Sequence, residues 1–351
     1  MSGHSMFKRT VSLALVAVAA SVVLLSAAPV TIKLATVTIK LATLAPANTT
    51  WHKALLDMGA AWTQNTEGRV KLTVYAGGSQ GDESSTLKMM RPGVDTLQAG
   101  LFTAGGLAQI DEAFNVFAMP FFYESDEEEL AVQNKLSPLL EQRLQAKGYR
   151  LLNWGTGGWV QMFSKKPLKT LDDVKGAKLF TSKGDDRLVQ FYASNGFHPV
   201  ALLPTDIPAQ LKLSTGLIDT APYPPYIALT LQIFRDAKYM LDVHAAPFVG
   251  ASIISNDVWN KISADDQKKV MAAAKVMENR IRAEGPKQDA DSLAAMQSRG
   301  LIVNKPDAKT SADFRAAANK LNASMRGNMV PADIYDLAVT TRDAYRKSKG
   351  K

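Results

Sequence analysis

Side chains that usually carry chemistry are sparse in this chain of 351 residues. The histidines, His4, His52, His198 and His244, include no pair at the i, i+4 spacing of a helical zinc site. The sequence has no cysteine, which excludes disulfides, thiol nucleophiles and thiolate metal ligands. No complete phosphate-binding loop is present, and the glycine-rich stretch at residues 155–158 predicts a tight turn. We therefore expect no catalytic residue, no metal and no cofactor, and we expect a protein that is not an enzyme.

The charge distribution gives little support to a nucleic-acid partner. The formal net charge of +8 would suit an anionic partner. However, the basic residues are interspersed with acidic ones and form no stripe laced with aromatic residues, so we expect no nucleic acid. Five cations fall within residues 342–351, and this run predicts a frayed, solubilising end.

The first residues have the pattern of an export signal. Lys8 and Arg9 precede an uncharged, mostly apolar run at residues 11–28, which predicts a signal peptide over residues 1–28. A retained membrane anchor is the alternative. An exported chain without cysteine suits the bacterial periplasm, where free thiols would be oxidised. Residues 30–36 are repeated word for word as residues 37–43, and we take the second copy as the first strand.

From residue 37 onward, the hydrophobic pattern alternates between strand and helix. Ser125 and Glu128 form a capping box at one helix start, and Ser263 caps a long helix. Gly285 and Pro286 predict a kink or break in that long helix, and two amphipathic helices close the chain. Strands are predicted at residues 37–44, 70–75, 97–102, 149–153, 160–163, 178–181, 218–221 and 249–255. This order predicts an α/β fold with parallel or mixed sheets and helices on their faces.

Five short motifs resemble one protein family in order and spacing. They are Ile39-Lys40-Leu41-Ala42-Thr43, Thr66-Glu67-Gly68-Arg69-Val70-Lys71, Met119-Pro120-Phe121-Phe122, Lys175-Gly176-Ala177-Lys178-Leu179 and Gly216-Leu217-Ile218-Asp219. From about residue 37 to the C-terminus, the chain resembles the DctP-type substrate-binding proteins of tripartite ATP-independent periplasmic (TRAP) transporters. The resemblance implies a clamshell of two α/β domains that closes on one small organic molecule. It also implies an integral membrane permease, driven by an ion gradient, as the partner.

The resemblance also implies a domain organisation. We expect a first domain of residues 37–157 and 244–283, and a second of residues 158–243 and 284–351. The ligand cleft lies between them, and the long helix spans both. We expect a monomer in the periplasm.

The loops that follow strands supply the first candidate ligand contacts. Leu44, Trp51 and His52 fall in or just after the loop behind the first strand, which contributes pocket groups in relatives. A helix start packed on the core is the alternative for Trp51 and His52. Asp82 matches a position that is polar in relatives, and a helix N-cap is its alternative.

At three further positions this chain has an aromatic or apolar residue where relatives usually have a polar or charged one. Phe180 stands where carboxylate-binding relatives usually have arginine, and a second family arginine aligns with Trp159 or Val160. Tyr223 stands at a usual asparagine. Together Trp159, Phe180 and Tyr223 predict a ring-lined cleft for an aromatic or apolar-bodied ligand.

Two readings compete with that ligand prediction. The rings could fill space while the ligand sits elsewhere. The ligand could also be an organic acid, with Lys183 and Arg187 replacing the missing charge, although each of these is more typically a solvated surface cation.

Two other functions stay open from the sequence. An ABC-type or sensor-coupled periplasmic binding protein would share the clamshell. A periplasmic enzyme, such as a hydrolase, would need a nucleophile and a base that show no recognisable spacing here.

Overall fold

The computed structural model describes residues 36–94 and 96–350. The predicted signal peptide at residues 1–28, and residues 30–35 of the first repeat copy, lie outside this range. The second copy forms the first strand, as predicted. Among the described residues, no helix is both long enough and apolar enough to cross a membrane.

Strands and helices alternate along most of the described chain. The strands are β1 Val37–Thr43, β2 Val70–Tyr75, β3 Ala99–Thr103, β4 Tyr149–Trp159, β5 Gln161–Ser164, β6 Lys178–Ser182, β7 His198–Leu202, β8 Thr220–Tyr223, β9 Tyr239–Leu241, β10 Pro247–Ser255 and β11 Ile302–Asn304. The helices are α1 Thr50–Asn65, α2 Glu83–Met89, α3 Ala104–Ala108, α4 Asp126–Ala146, α5 Leu171–Gly176, α6 Asp186–Ser194, α7 Ile207–Lys212, α8 Pro225–Thr230, α9 Asn256–Trp259, α10 Ala264–Gln297, α11 Ala308–Met325 and α12 Ala332–Ser348. Short 3-10 helices cover Glu112–Ala118, Pro204–Asp206 and Ile233–Arg235.

The strands form two mixed sheets, which confirms the predicted α/β class. The first sheet has the order β2-β1-β3-β10-β4, in which β1, β2 and β3 are parallel and β10 is antiparallel to both neighbours. The second has the order β11-β9-β5-β8-β6-β7, in which β6, β7 and β8 are parallel and β5 is antiparallel to β8 and β9. The chain passes from the first sheet to the second between β4 and β5, and returns between β9 and β10.

Both faces of the first sheet are buried. Leu41 and Ala42 are neighbours on β1, yet they are buried in two different apolar clusters. Ile253 and Ile254 on β10 divide in the same way. Successive side chains of a strand point to opposite faces, so helices must cover both sides of this sheet. The first sheet is therefore packed on both faces, and it provides a rigid support for the loops that follow its strands.

The glycine-rich stretch at residues 155–158 is not the predicted tight turn. It is the second half of β4, and it contains a bulge in which Gly157 and Gly158 lie opposite Phe248 of β10. Gly158 has φ of +87°, and a Cβ atom there would lie 1.6 Å from Oδ2 of Asp289. Close approach of other side chains, rather than a reversal of the chain, therefore requires glycine here.

The long helix α10 continues through Pro286, so the predicted break at Gly285 and Pro286 does not occur. Its start is as predicted, because the Ser263 side chain accepts a hydrogen bond from the Asp266 backbone. The N-terminal half packs on α1 and β4 of the first sheet, and the helix also contacts α8, which follows β8 of the second sheet. These contacts hold both halves of the helix in place, although proline removes one backbone donor.

The C-terminal helix differs from the sequence prediction in two ways. Ile334 and Ala338 of α12 are buried with Leu136 and Leu140 of α4, so α12 packs with elements around the first sheet. The sequence prediction places residues 284–351, and so α12, in the second domain. The helix is also not frayed over its last cations, because Arg346 pairs with buried Glu128. Apart from this, the domain division stays a prediction.

Candidate functional site

A cleft of about 820 Å³ is lined by residues that follow strands of both sheets. Its wall includes Thr43 at the end of β1, Leu44 just after it, and Thr103 at the end of β3. The second sheet contributes Phe180 and Tyr223 from β6 and β8. Each of these residues lies near the carboxyl end of a parallel strand, where open α/β sheets bind ligands. The volume falls in the range of about 300–1,000 Å³ that small-molecule sites occupy.

The cleft wall contains five of the eight residues proposed from the sequence: Leu44, Trp51, Val160, Phe180 and Tyr223. Trp51 has a packing role as well, since a Cβ atom on Gly155 would lie 2.4 Å from its indole ring. Trp51 therefore lines the cleft and also packs at the start of α1, so it has the features of both alternatives.

The other three residues, His52, Asp82 and Trp159, do not line the cleft. Nδ1 of His52 accepts a hydrogen bond from the backbone of Asn48 (3.1 Å). The Asp82 side chain caps α2, accepting from the backbone of Ser85 (2.7 Å). These contacts give His52 and Asp82 local roles at helix starts, which is the alternative reading for each.

Trp159 lies where the chain passes between the sheets. Its Nε1 donates to Oδ1 of Asp126 (2.7 Å), and its ring stacks on His244 with centroids 5.6 Å apart. His244 lies on the segment that returns to the first sheet, so this stack joins the β4–β5 crossing to the β9–β10 crossing. The aromatic wall predicted for the cleft therefore lacks Trp159.

Three rings form an aromatic cluster in the wall of the cleft: Phe180, Tyr223 and Phe248. The rings of Phe180 and Tyr223 are stacked with centroids 5.5 Å apart, and Tyr223 lies 6.1 Å from Phe248. Tyr223 is 6% exposed. Burial raises the pKa of its hydroxyl, and the nearby Glu83 charge raises this pKa further, so the group stays protonated. Sequence reasoning did not identify Phe248.

Glu83 is a buried carboxylate in the cleft wall that sequence reasoning missed. It is 5% exposed, and its two oxygens accept from the backbone (2.6 Å) and the hydroxyl (2.8 Å) of Thr103. Burial raises the pKa of Glu83 from its ordinary 4.5 to about 7, which outweighs the lowering by these hydrogen bonds. An acidic residue in the first turn of a helix is common, so the sequence carries no signal for this burial.

Asp185 is a second acidic side chain of the cleft wall. Its Oδ1 caps α6 by accepting from the backbone of Leu188 (3.0 Å). Its Oδ2 is buried and has no hydrogen-bond partner among the described residues. Burial is the main cause that raises the pKa of Asp185.

Positive charge in the described part of the cleft wall is limited to Lys175 and Lys320, with no arginine. Lys320 is exposed, and Nζ of Lys175 lies 5.8 Å from the ring centre of Phe197. Lys183 and Arg187, the proposed replacements for the family arginine, do not line the cleft. Arg187 instead pairs with Glu112 and donates to the backbone carbonyl of Asn328.

A hydrogen-bond network centred on α10 ties the two sheets together beside the cleft. Oδ1 of Asp289 accepts from the backbone of Tyr226 (2.9 Å), and the carboxylate also accepts from the backbone of Trp159. The Tyr226 hydroxyl accepts from the backbone of Thr50 (2.8 Å), at the start of α1. Burial raises the pKa of Asp289 to about 6. The α10 helix therefore contacts both the end of β4, where the chain crosses, and α8, which follows β8 of the second sheet.

One segment has the spacing of a hydrolase nucleophile elbow, although sequence reasoning did not propose it. Gly77, Ser79 and Gly81 match G-x-S-x-G between β2 and α2. The Ser79 side chain is exposed, does not line the cleft and forms no hydrogen bond with a histidine among the described residues. Residues 36–94 and 96–350 also hold no cluster of three or more His, Cys, Asp or Glu arranged for a metal ion.

The buried carboxylates predict how stability changes with pH. The folded state holds protons on Glu83 and Glu129 up to about pH 7, where burial places both pKa values, whereas an unfolded glutamate releases its proton near 4.5. This contribution is fully present below pH 4.5 and is lost as pH rises through 7. At pH 8, Glu83→Gln should therefore raise the unfolding free energy by about 2–3 kcal/mol, with no gain at pH 4.

Urea denaturation of both proteins at several pH values checks this expectation. Glu67→Gln is the matched control, since the Glu67 side chain is 79% exposed, and it should leave the pH profile unchanged. Equal stability of Glu83→Gln and the parent protein at pH 8 would contradict the prediction.

Comparisons with known proteins agree with this architecture. The family model described as "Bacterial extracellular solute-binding protein, family 7" (DctP) matches residues 41–328. A solute-binding protein of Chromohalobacter salexigens is 25% identical over 262 residues, which cover 74% of this chain and 76% of the relative.

Solved structures share the fold. A TRAP periplasmic solute-binding protein of Xanthobacter autotrophicus with bound β-D-galacturonate superposes with a TM-score of 0.79 at 20% identity, covering 87% of this chain and 99% of that one. A Bordetella pertussis extracytoplasmic solute receptor binding pyroglutamic acid gives 0.78 at 18% identity, with the same coverage. Because the family model matches most of the chain, as the five sequence motifs predicted, this protein belongs to the DctP family of bacterial extracellular solute-binding proteins.

Proposed function

We propose that the chain is the solute-binding subunit of a TRAP transporter and works in the periplasm. It captures one small organic molecule and delivers it to an integral membrane permease driven by an ion gradient. The observation that carries this proposal is the cleft of about 820 Å³ whose wall draws on both sheets, in a chain of the DctP family. The family match favours this function over an ABC-type or sensor-coupled receptor and over a periplasmic hydrolase.

The proposed mechanism is closure of two lobes about the crossings beside Trp159 and His244. Solute bound between the two sheets contacts both walls only when they are close, so it stabilises the closed arrangement. The apparent affinity is then the intrinsic affinity of the closed form multiplied by the fraction of unliganded protein that is closed. The α10 helix, which contacts elements around both sheets, would stay in place during closure.

The solutes of the solved relatives bear on the class of solute that this cleft takes. The two solved relatives hold β-D-galacturonate and pyroglutamic acid, which gives no support to the predicted aromatic ligand. These relatives are 20% and 18% identical to this chain, too distant to transfer their ligands. We carry forward the proposal of a small organic solute.

Small-angle scattering and calorimetry test the proposed function. Mass spectrometry of the purified protein identifies a copurifying solute, which is then added back to the stripped protein. We expect one solute bound per chain, a smaller radius of gyration, a concentration-dependent rise in melting temperature and no chemical change in the solute. Turnover of that solute, or saturating binding without compaction, would contradict the proposal.

A further inference from the structure

We propose that the cleft selects solutes carrying a positively charged nitrogen on an apolar body, rather than carboxylates. This inference rests on the proposed solute-binding function and adds the charge of the solute. The evidence is the position of two acidic side chains, the lack of arginine in the described wall and the aromatic cluster defined above.

The two carboxylates come from different sheets and meet at one place. Glu83 begins α2 beside the first sheet, and Asp185 precedes α6 beside the second. On the adjacent glycines 105 and 106, Cβ atoms would lie 3.9 Å from Oδ2 of Asp185 and 2.5 Å from the nearest Glu83 oxygen. A Cβ on Gly184 would lie 2.9 Å from Cβ of Ser84. Ser84 and Gly184, which adjoin the two acids, therefore pack against each other, and both carboxylates lie beside the same pair of glycines.

Polar atoms in this part of the wall lack partners. Oδ2 of Asp185 and Oγ1 of Thr181 are buried and make no hydrogen bond to a described residue. The Tyr223 hydroxyl also makes none within the described chain, although the side chain is 6% exposed and lines the cleft. A buried carboxylate oxygen can only accept, so it requires a donor from whatever fills the space. An ammonium group brings donors and a positive charge to these two acids, whereas a carboxylate solute would bring a third carboxyl group and no donor.

The aromatic cluster suits the same kind of solute. Cations are attracted to the faces of aromatic rings within about 6 Å, and this attraction strengthens when water is excluded. Phe180 contributes one of these rings at the position where the family resemblance implies arginine. The replacement therefore removes the cation that would hold a carboxylate and adds a surface that attracts a cation. The two lysines of the wall lie on α5 and α11, apart from the elements that carry Glu83 and Asp185.

A matched pair of probes tests the charge preference. Phenethylamine and phenylacetate share a ring and differ in the sign of the terminal charge, and D-galacturonate represents the solute of a solved relative. Calorimetric titration of the stripped protein should give binding of phenethylamine at least tenfold tighter than that of phenylacetate or D-galacturonate.

Single substitutions test which side chains cause the preference for a cationic solute. Asp185→Asn keeps a residue that can cap α6 and should weaken phenethylamine binding at least tenfold. Asp307→Asn is the matched control, because it changes a helix cap outside the cleft wall, on α11, and should leave binding unchanged. Phe180→Arg should move the preference towards phenylacetate.

The outcomes separate this inference from the proposed function. Tighter binding of phenylacetate or D-galacturonate by the parent protein, or no binding of phenethylamine, overturns the charge preference. If such an anionic solute also compacts the protein, the proposed receptor function stands while this inference fails. An unchanged affinity of Asp185→Asn for phenethylamine likewise overturns it.

Discussion

Replacing Arg346 with alanine is expected to lower the free energy of unfolding by about 3–5 kcal/mol. Arg346 donates through Nε (3.0 Å) and Nη2 (2.7 Å) to the two oxygens of Glu128, and Nη2 also donates to the backbone carbonyl of Phe122. The Glu128 side chain is only 1% exposed. Removing the guanidinium leaves this carboxylate buried without its paired charge, which costs far more than the loss of a surface ion pair.

The control for Arg346 is Arg326, another arginine near the C-terminal end of the sequence. Arg326 holds Asp336 through two hydrogen bonds of 2.7 and 2.6 Å, yet both side chains are about half exposed. Arg326→Ala should therefore cost less than about 1 kcal/mol. Urea denaturation measures both variants, and a cost for Arg346→Ala no larger than that for Arg326→Ala would refute the argument from burial.

Gly158→Ala is expected to be the more damaging of two glycine substitutions with similar backbone conformations. Gly68 has φ of +80° and open space around the site of a Cβ, so Gly68→Ala should cost about 1–2 kcal/mol for the left-handed conformation alone. Gly158 has φ of +87°, and its new Cβ would meet Oδ2 of Asp289 at 1.6 Å. Overpacking adds about 1–3 kcal/mol to the conformational cost.

Displacing Asp289 has a second effect besides lost stability. This carboxylate accepts hydrogen bonds from the backbones of Tyr226 and Trp159, so a shift disturbs the crossing between the sheets. The two alanine variants are compared by thermal unfolding and by scattering with and without the copurifying solute. Equal melting temperatures for the two variants would show that the contact with Asp289 can relax.

Local signals predicted most of the regular structure. Side chains at Ser125 and Ser263 cap α4 and α10 as the sequence indicated, because a cap depends on residues within one turn. The capping box predicted at Ser125 is only half formed, since the Glu128 side chain pairs with Arg346. The strands β9 and β11 were missed, since three residues are too few to display an alternating pattern. The edge strand β7 was missed as well, because Pro199 within it argues against a strand. The stretch around Gly158 was misread because its composition resembles a turn, while its actual neighbours, Trp51, Phe248 and Asp289, are distant in sequence.

Features of the site depended more strongly on long-range packing. The family resemblance led to Phe180 and Tyr223, which do line the cleft, but it also suggested Trp159, which lies at a crossing instead. Glu83 gave no signal, because its burial arises from packing against α3, some twenty residues further along the chain. Arg346 looked like part of a solvated tail, since its partner Glu128 is 218 positions away.

The hydrogen bonds at Asp289 have a mechanical consequence for the closure that we propose. In a rotation about a fixed axis, each atom moves in proportion to its distance from that axis. With the proposed axis at the crossing beside Trp159, the backbones of Tyr226 and Trp159, both held by one carboxylate, would lie close to it, so their hydrogen bonds could keep nearly constant lengths. The same rotation carries the far rim of the cleft through a long arc. A small rotation near the α10 helix would thus open the cleft widely to solute without breaking the hydrogen bonds to Asp289.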